Sequence, residues 1–507
     1  MIKKLIQPML IVAIIVATVS SCRKDFSTVP SFGNLEFSKD TVFLDTIFTN
    51  IGSATYNLRV YNRSDKAITI PEIKLENGIT SNYRLNVDGI PGKQFEDIEI
   101  LAKDSIFVFV ETTIDFDAIS DPLYTDRILF DNGDNQQDVD LVTLVRNANF
   151  IFPGRTPSTM EIDNLFLDGQ LTNLQGRFLT DSELRFTKEK PYVIYGFAAV
   201  PANKTLTIEA GATIHFHNNS GLIVDNGGTL KVNGTLEEKV VFQGDRLQDA
   251  FSRVSGQWGT IWMRSGSVEN EINHAQIKNG VVGLLVDGDI ESSTEPTLRL
   301  KNTEVYNQTA FGVLGRQAWI EGENVVIGNA GQVCFGGTVG GSYHFTHSTF
   351  ANYWNRSLRT LPAVLINNFL TTTDDDGNET TITRNLLAAN FTNCIIEGNN
   401  NIEFVLDRLP DGSTFEYNLK NCLIQFDDFN DSFKNNAELN FSDATRYENI
   451  FLNKNPDFKD VSKEEFIIGE NSDAIGQGRV TPVTSDILGV MRSATPDLGA
   501  YQHITFN

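Results

Sequence analysis

Four cysteines in 507 residues are far too few for a disulfide scaffold, and none are spaced as Cys-x-x-Cys or as a zinc site. Glycine and proline, at 39 and 15 residues, are at ordinary levels, which excludes collagen-like and linker-like sequence. Charged residues make up 21% against 40% hydrophobic ones, so the chain has the apolar material for a packed core. Positive charge is the real shortage. Forty-one basic residues face 65 acidic ones, a net charge of −24, which excludes a general nucleic-acid binder. It also makes polyanionic polysaccharides poor partners unless a local basic groove or bound cations reverse the field. Gly-rich phosphate loops, hydrolase nucleophile elbows and a Ser/His/Asp order are missing too. What the chain has in excess is phenylalanine, 35 residues of it.

No apolar run reaches the ~20 residues of a membrane-spanning helix. The densest, Met9 to Val19, follows Lys3 and Lys4 and fits the middle of a secretory signal. Val19-Ser20-Ser21-Cys22 then resembles the bacterial lipobox, which implies cleavage before Cys22 and acylation of that residue. Several acyl chains give a stable hold on a bilayer, since each buried methylene adds about 0.8 kcal/mol. Loss of residues 1–21 removes two lysines and takes the net charge from −24 to −26. Residues 22–33, with Ser, Thr, Pro and Gly, read as a short leash. The other cysteines, Cys334, Cys394 and Cys422, sit in apolar strand-like runs and read as buried.

Residues 34–148 show short runs with a period of two, such as Leu58 and Val60, Ile68 and Ile70, and Ile106, Val108 and Val110. Turn signals such as Val87-Asp88-Gly89 and Asp131-Asn132-Gly133 separate them. This spacing predicts an antiparallel β-sandwich. Residues 149–190 lack clear periodicity and read as a connecting segment.

From Pro201 onward the period changes. Strand-like segments end at Ile208, Phe216, Val224 and Val232, eight residues apart, and each closes in a turn. Three such strands make a 24-residue rung, which stacks Val232 on Ile208 as in a parallel β-helix. A second ladder repeats an apolar residue with Asn two positions later: Ile277/Asn279, Val305/Asn307, Ile327/Asn329 and Phe350/Asn352. Asn tolerates left-handed turns, and stacked Asn side chains can bond along the axis. The ladder continues at Ile396 and Ile424 once the 16 residues from Leu370 to Asn385 are read as a protruding hairpin around Asp374-Asp375-Asp376-Gly377. That acidic run places its glycine one position too early for an EF-hand.

"LTIEAGATIHF", "GLIVDNGGTLKVNGT" and "GQWGTIWM" resemble the opening rungs of right-handed parallel β-helix proteins of the pectin-lyase-like type. "NSDAIG" and "TPDLGAYQ" resemble the closing segment of secreted bacterial β-helix proteins. "IGSATYNLRVYN" resembles immunoglobulin-like domains of Bacteroidetes surface lipoproteins. Together these imply an all-β chain: an Ig-like sandwich, then a β-helix over residues 191–507 with its C-terminal closing segment.

Enzymes with this β-helix cleave uronic-acid polymers, by calcium-assisted elimination or by hydrolysis between carboxylates. Elimination needs cations at the uronate and an Arg or Lys to take the adjacent proton. Asp427-Asp428 is the one tempting acidic pair, yet the His-Gly and Arg-x-Lys that accompany it in the hydrolases do not follow, so it reads as a turn. Asp225 and Asp287 read as turn formers. His215 and His217 share one side of a strand, expected to face solvent, without a placeable third metal ligand. Alternation also turns Trp262 and Trp319 outward, where they stack on sugar rings, mark a partner surface or lie under a loop.

The sequence thus predicts an exported protein held at the outer membrane through acylated Cys22. Its β-helix is expected to bind glycan or a surface protein, or to serve an architectural role, with no catalytic residues, metal or cofactor. The alternative is a polysaccharide lyase or glycoside hydrolase, with calcium if a lyase.

Overall fold

The computed structural model describes residues 27–374 and 376–506, so Cys22 lies outside the described residues. The chain divides into two compact units after Asn147.

In the first unit two sheets pack face to face. One contains Thr41–Phe48, Ile68–Leu75, Gln94–Ile100, Leu123–Phe130 and Gln137–Arg146; the other is built around Tyr56–Tyr61, Tyr83–Val87 and Ser105–Thr112. Pairing is mostly antiparallel, with Gln137–Arg146 parallel to Thr41–Phe48. The alternation read from the sequence decides which side chains enter the core. Ile106, Val108 and Val110 are buried, while Phe107 and Phe109 between them are exposed and stack at 5.9 Å.

The second unit is a coil of parallel strands on three faces. A rung near its start uses Thr205–Glu209 on the first face, Thr213–Phe216 on the second and Gly221–Val224 on the third. Each pairs with the strand three later: Thr229–Asn233, Val240–Gly244 and Ile261–Met263. Val232 pairs with Ile208, as the period of eight requires. The column Ile277, Val305, Ile327, Phe350, Ile396 and Ile424 stacks in register through six rungs. The interruption before Ile396 is a two-stranded hairpin, Phe369–Thr373 with Glu379–Thr383. Inward positions are fully buried, and part of the phenylalanine excess is there: Phe335, Phe345, Phe350, Phe391 and Phe404 form one aromatic cluster.

Two expectations need correction. Residues 149–190 belong to the coil. Asn149–Ile151 pairs with Tyr192–Ile194, and Gly176–Phe178 with Phe197–Ala199, both in parallel. Their periodicity is hidden because an antiparallel hairpin, Asn164–Leu167 with Gln170–Phe178, interrupts this first rung. Second, Asn279, Asn307 and Asn329 do hold left-handed turns, at φ 68°, 56° and 53°, but their side chains bond elsewhere: Asn279 donates to Ser252 O. The bonded ladder lies on another corner, where Asn302 donates to Asn273 at 3.1 Å and Asn324 to Asn302 at 3.0 Å.

The C-terminal segment does more than close the last rung. From about Asn453 it folds back along the outside of the second face. Phe466, Ile487 and Tyr501 pack on Tyr306, Val326 and Ala351, and Ile468, Ala474 and Leu498 on Ile395 and Leu423.

Candidate functional site

The three faces of the coil present different outer surfaces. On the first face the central outward row runs Thr207, Lys231, Glu271, Arg299, Glu321, His344, Asn390, Asn418. Its charges neutralise one another between rungs, Lys231 with Glu271 at 3.7 Å and Arg299 with Glu321 at 3.4 Å, which suits a solvated surface. The second face is covered over its later rungs, from Tyr306 to Leu423, by the C-terminal segment. On the third face the outward row runs Ala199, Ile223, Trp262, Leu285, Leu314, Gly336, Leu365, Val405 and is apolar throughout.

One end of this stripe is closed. The hairpin 164–178 lays Leu165 and Leu167 against Ile223 and Trp262. Trp262 is therefore half-buried, and its indole N–H donates to Asp287 Oδ2 at 2.8 Å. Asp287 also receives Arg316 through two bonds of 2.5 and 2.6 Å, so it does more than shape a turn. Asp225 likewise pairs with Arg264. Trp319 is half-buried on the first face, with its indole N–H buried and unpartnered. The two tryptophans do not share a groove.

The other end of the stripe opens into a cavity of about 660 Å³. Leu361, Leu365, Ile402, Val405, Phe429 and Phe433 give it apolar walls; Asn400, Asn401, Asn430, Asp407 and Asp427 give it polar ones. Phe429 is 69% exposed. Under one wall lies a buried ion pair, Arg359 to Glu403, with oxygen–nitrogen distances of 2.5 and 2.8 Å. Arg359 also donates to Asn352 O and Asn399 Oδ1, and Glu403 accepts from the backbone of Asn400 and Ala363. This network fixes residues 353–363 against the coil. Burial pushes the Glu403 carboxyl up from its ordinary value, against the pull of Arg359. Burial also pushes Asp407 up.

The acidic pair Asp427-Asp428 lies on this cavity. Asp428 accepts from the backbone of Ser432 and Phe433 at 2.8 and 2.7 Å, so it forms a turn. Asp407 and Asp427 have no ion-pair partner among the described residues. Arg359 is the single cation in the lining, and Glu403 occupies it. A base of the kind elimination needs is therefore lacking among the lining residues. His215 and His217 do not form a joint site. His215 is wholly buried with Nδ1 2.9 Å from Gly244 O, contrary to the expected solvent position, whereas His217 pairs with Asp245 at 2.7 Å. Alternation fixes the side of the strand a residue takes, not what lies over it. No three His, Cys, Asp or Glu side chains gather as a metal set among the described residues.

Sequence reasoning missed the stripe and cavity, although a signal existed. Leu222-Ile223-Val224, Ile261-Trp262-Met263 and Leu284-Leu285-Val286 are apolar on both sides of the strand, the pattern of a strand covered on both faces.

No family model and no curated protein matches the chain. Among solved structures, one from a study of glycolipid glycan hydrolysis by a family 123 glycoside hydrolase from Clostridium perfringens aligns at 14% identity and TM-score 0.16. The alignment covers 22% of this chain and 25% of that one, and at that score it carries no argument.

Proposed function

We propose that this chain is an exported lipoprotein of the Bacteroidetes surface type, held at the outer membrane by acylated Cys22, whose coil binds an extended neutral glycan along the third face. The observation that carries the reading is the cavity at the open end of the stripe, where exposed Phe429 stands among Asn400, Asn401, Asn430, Asp407 and Asp427. Sugar rings offer apolar C–H faces to aromatic and aliphatic walls, and hydroxyls to amides and carboxylates. The absence of an unpaired cation from the lining, together with the acidic balance of the chain, favours a neutral polymer over a uronate one. The stripe continues the apolar wall for several rungs, each about 4.8 Å from the next, which suits a chain of sugars better than a single one.

The test is a neutral oligosaccharide array probed with the purified chain and with Phe429→Ala and Leu314→Arg. Binding that weakens at least tenfold in both variants supports the reading. A hydrolytic reading rests on Asp407, raised by burial, and Asp427 in the same cavity. Release of new reducing ends from a bound glycan, abolished by Asp407→Asn, would replace the non-catalytic reading. An array on which neither Phe429 nor Leu314 matters would remove the third face from the function altogether.

A further inference from the structure

A second cleft, of about 510 Å³, lies where the C-terminal segment crosses the second face. Its floor is formed by the outward side chains of Ala275–Lys278 and Glu304–Gln308, and its roof includes Lys459, Lys463, Glu464 and Phe466. In a chain of net charge −24 this cleft collects four cations, Arg253, Lys278, Lys459 and Lys463. Three have partners. Arg253 lies 3.5 Å from Glu464 and donates to Ser462 O, Lys459 pairs with Glu465 at 2.9 Å, and Lys463 with Asp460 at 2.8 Å.

The carboxylates beside Lys278 also have their own partners. Glu304 receives Lys239 at 2.9 Å, Tyr501 at 3.3 Å and Gln276 at 3.5 Å. Glu464 receives Asn329 at 3.3 Å in addition to Arg253. Of these four cations, Lys278 is the one without a carboxylate within 4.0 Å among the described residues. It is half-buried at the end of its strand, and burial lowers its pKa against the more distant charges of Glu464 and Glu304. A half-desolvated ammonium without a counter-charge is unfavourable on its own and favourable with an anion beside it. Gln276 and Asn307 on the same floor offer further amide donors.

We propose that this cleft binds a small oxyanion, a carboxylate or a sulfate ester carried on a sugar, with Lys278 as its counter-charge. The site lies on a different face from the stripe and stands or falls independently of the neutral-glycan reading. Lys278 supplies the charge, the amides orient the anion's oxygens, and the C-terminal segment forms one wall of the cleft.

The experiment is calorimetric titration of the full chain with glucuronate, inorganic sulfate and glucose, alongside Lys278→Met and Lys278→Arg. Saturable binding of glucuronate or sulfate is expected, at least tenfold weaker in Lys278→Met and largely kept in Lys278→Arg. Glucuronate without sulfate identifies a sugar acid, and sulfate without glucuronate a sulfate ester. A second readout is amine labelling of Lys278 followed by peptide mapping, which the bound anion should slow. Lys278→Met removes an unpaired charge and should unfold no earlier than the parent, so lost binding cannot be put down to misfolding. Absence of saturable anion binding, glucose binding as tightly as glucuronate, or undiminished binding in Lys278→Met would each overturn the proposal.

Discussion

Phe466 lies so close over Gly328 that a Cβ on that glycine would stand 2.3 Å from its ring. The ring is fully buried and touches Tyr306 and Tyr353 as well, with centroids at 6.1 and 6.3 Å. Gly328 sits in an outward row of the second face that reads Lys278, Tyr306, Gly328, Ala351, Glu397. The small residues in the middle admit the C-terminal segment, and the larger polar ones flank it. Gly328→Ala should force the ring out and cost about 2 kcal/mol by overpacking. Phe466→Ala should cost about 3 kcal/mol by leaving a cavity. Denaturant unfolding measures both, and limited proteolysis should show earlier cleavage within residues 453–506. Unchanged proteolysis in both variants would mean that other contacts hold the segment.

The Asn ladder ties the coil to the same segment. Asn324 donates to Asn302 and to Ser485 O at 2.9 Å, and accepts from Arg492 at 2.8 Å. Its backbone is left-handed at φ 51°. Asn324→Gly keeps that backbone comfortable and removes only the side-chain bonds, for an expected loss of about 2 kcal/mol. Asn324→Ala should lose about 1 kcal/mol more, because alanine is strained there. Chemical denaturation of the two variants separates the terms. Equal losses would show that backbone strain contributes nothing.

Stacking was legible in the sequence wherever a residue's role depended on its own strand. Ile208 under Val232 follows from spacing, and Ile277 through Ile424 from a recurring apolar position once the hairpin before Ile396 is set aside, because each rung repeats one geometry. The positions that depend on distant chain were not legible. The cover on the second face comes from the C-terminal segment, far along the chain from the strands beneath it. His215 shows the same limit, since its burial reflects what overlies the strand rather than the strand itself. The cavity escaped because Leu361, Val405 and Phe429 come from separate loops and rungs that no local period relates. The bonded Asn ladder was hidden by the more regular apolar-x-Asn pattern beside it.

The cysteines give a test that also reaches the proposed anchor at Cys22. Cys334, Cys394 and Cys422 are buried and free. Burial pushes the Cys334 thiol up to about 12 and raises Cys394 well above its ordinary value. Cys394 and Cys422 donate instead to backbone carbonyls, Thr392 O and Phe391 O, both at 3.4 Å. All three are shut away from solvent, so none should react with an aromatic disulfide reagent in the native protein. In guanidinium the membrane-derived protein should show three thiols, because an acylated Cys22 carries its sulfur as a thioether. A fourth thiol would overturn the anchor, and a native thiol would overturn the burial.

Glu397 sets a pH dependence whose sign is fixed. The residue is 7% exposed, and its Oε2 is buried without a partner at the edge of a cleft with Tyr353, Gln425 and Asp457. Burial, and then the charge of Glu403, push its carboxyl up to about 8, with only the Gly398 N–H pulling the other way. In the unfolded chain an ordinary Glu titrates near 4.3. Between these values the native state holds a proton that the unfolded state has released, so stability falls as pH rises through this range. The contribution is fully present below about 4.3 and gone above about 8. Glu397→Gln keeps the shape without the titration. Its stability relative to the parent should therefore rise by roughly 4 kcal/mol between pH 5 and pH 9 in denaturant unfolding. Taking the difference cancels every other group that titrates alike in both proteins. A constant difference across that range would mean that Glu397 is ionised in the fold, and the cleft would then have to supply it with a donor.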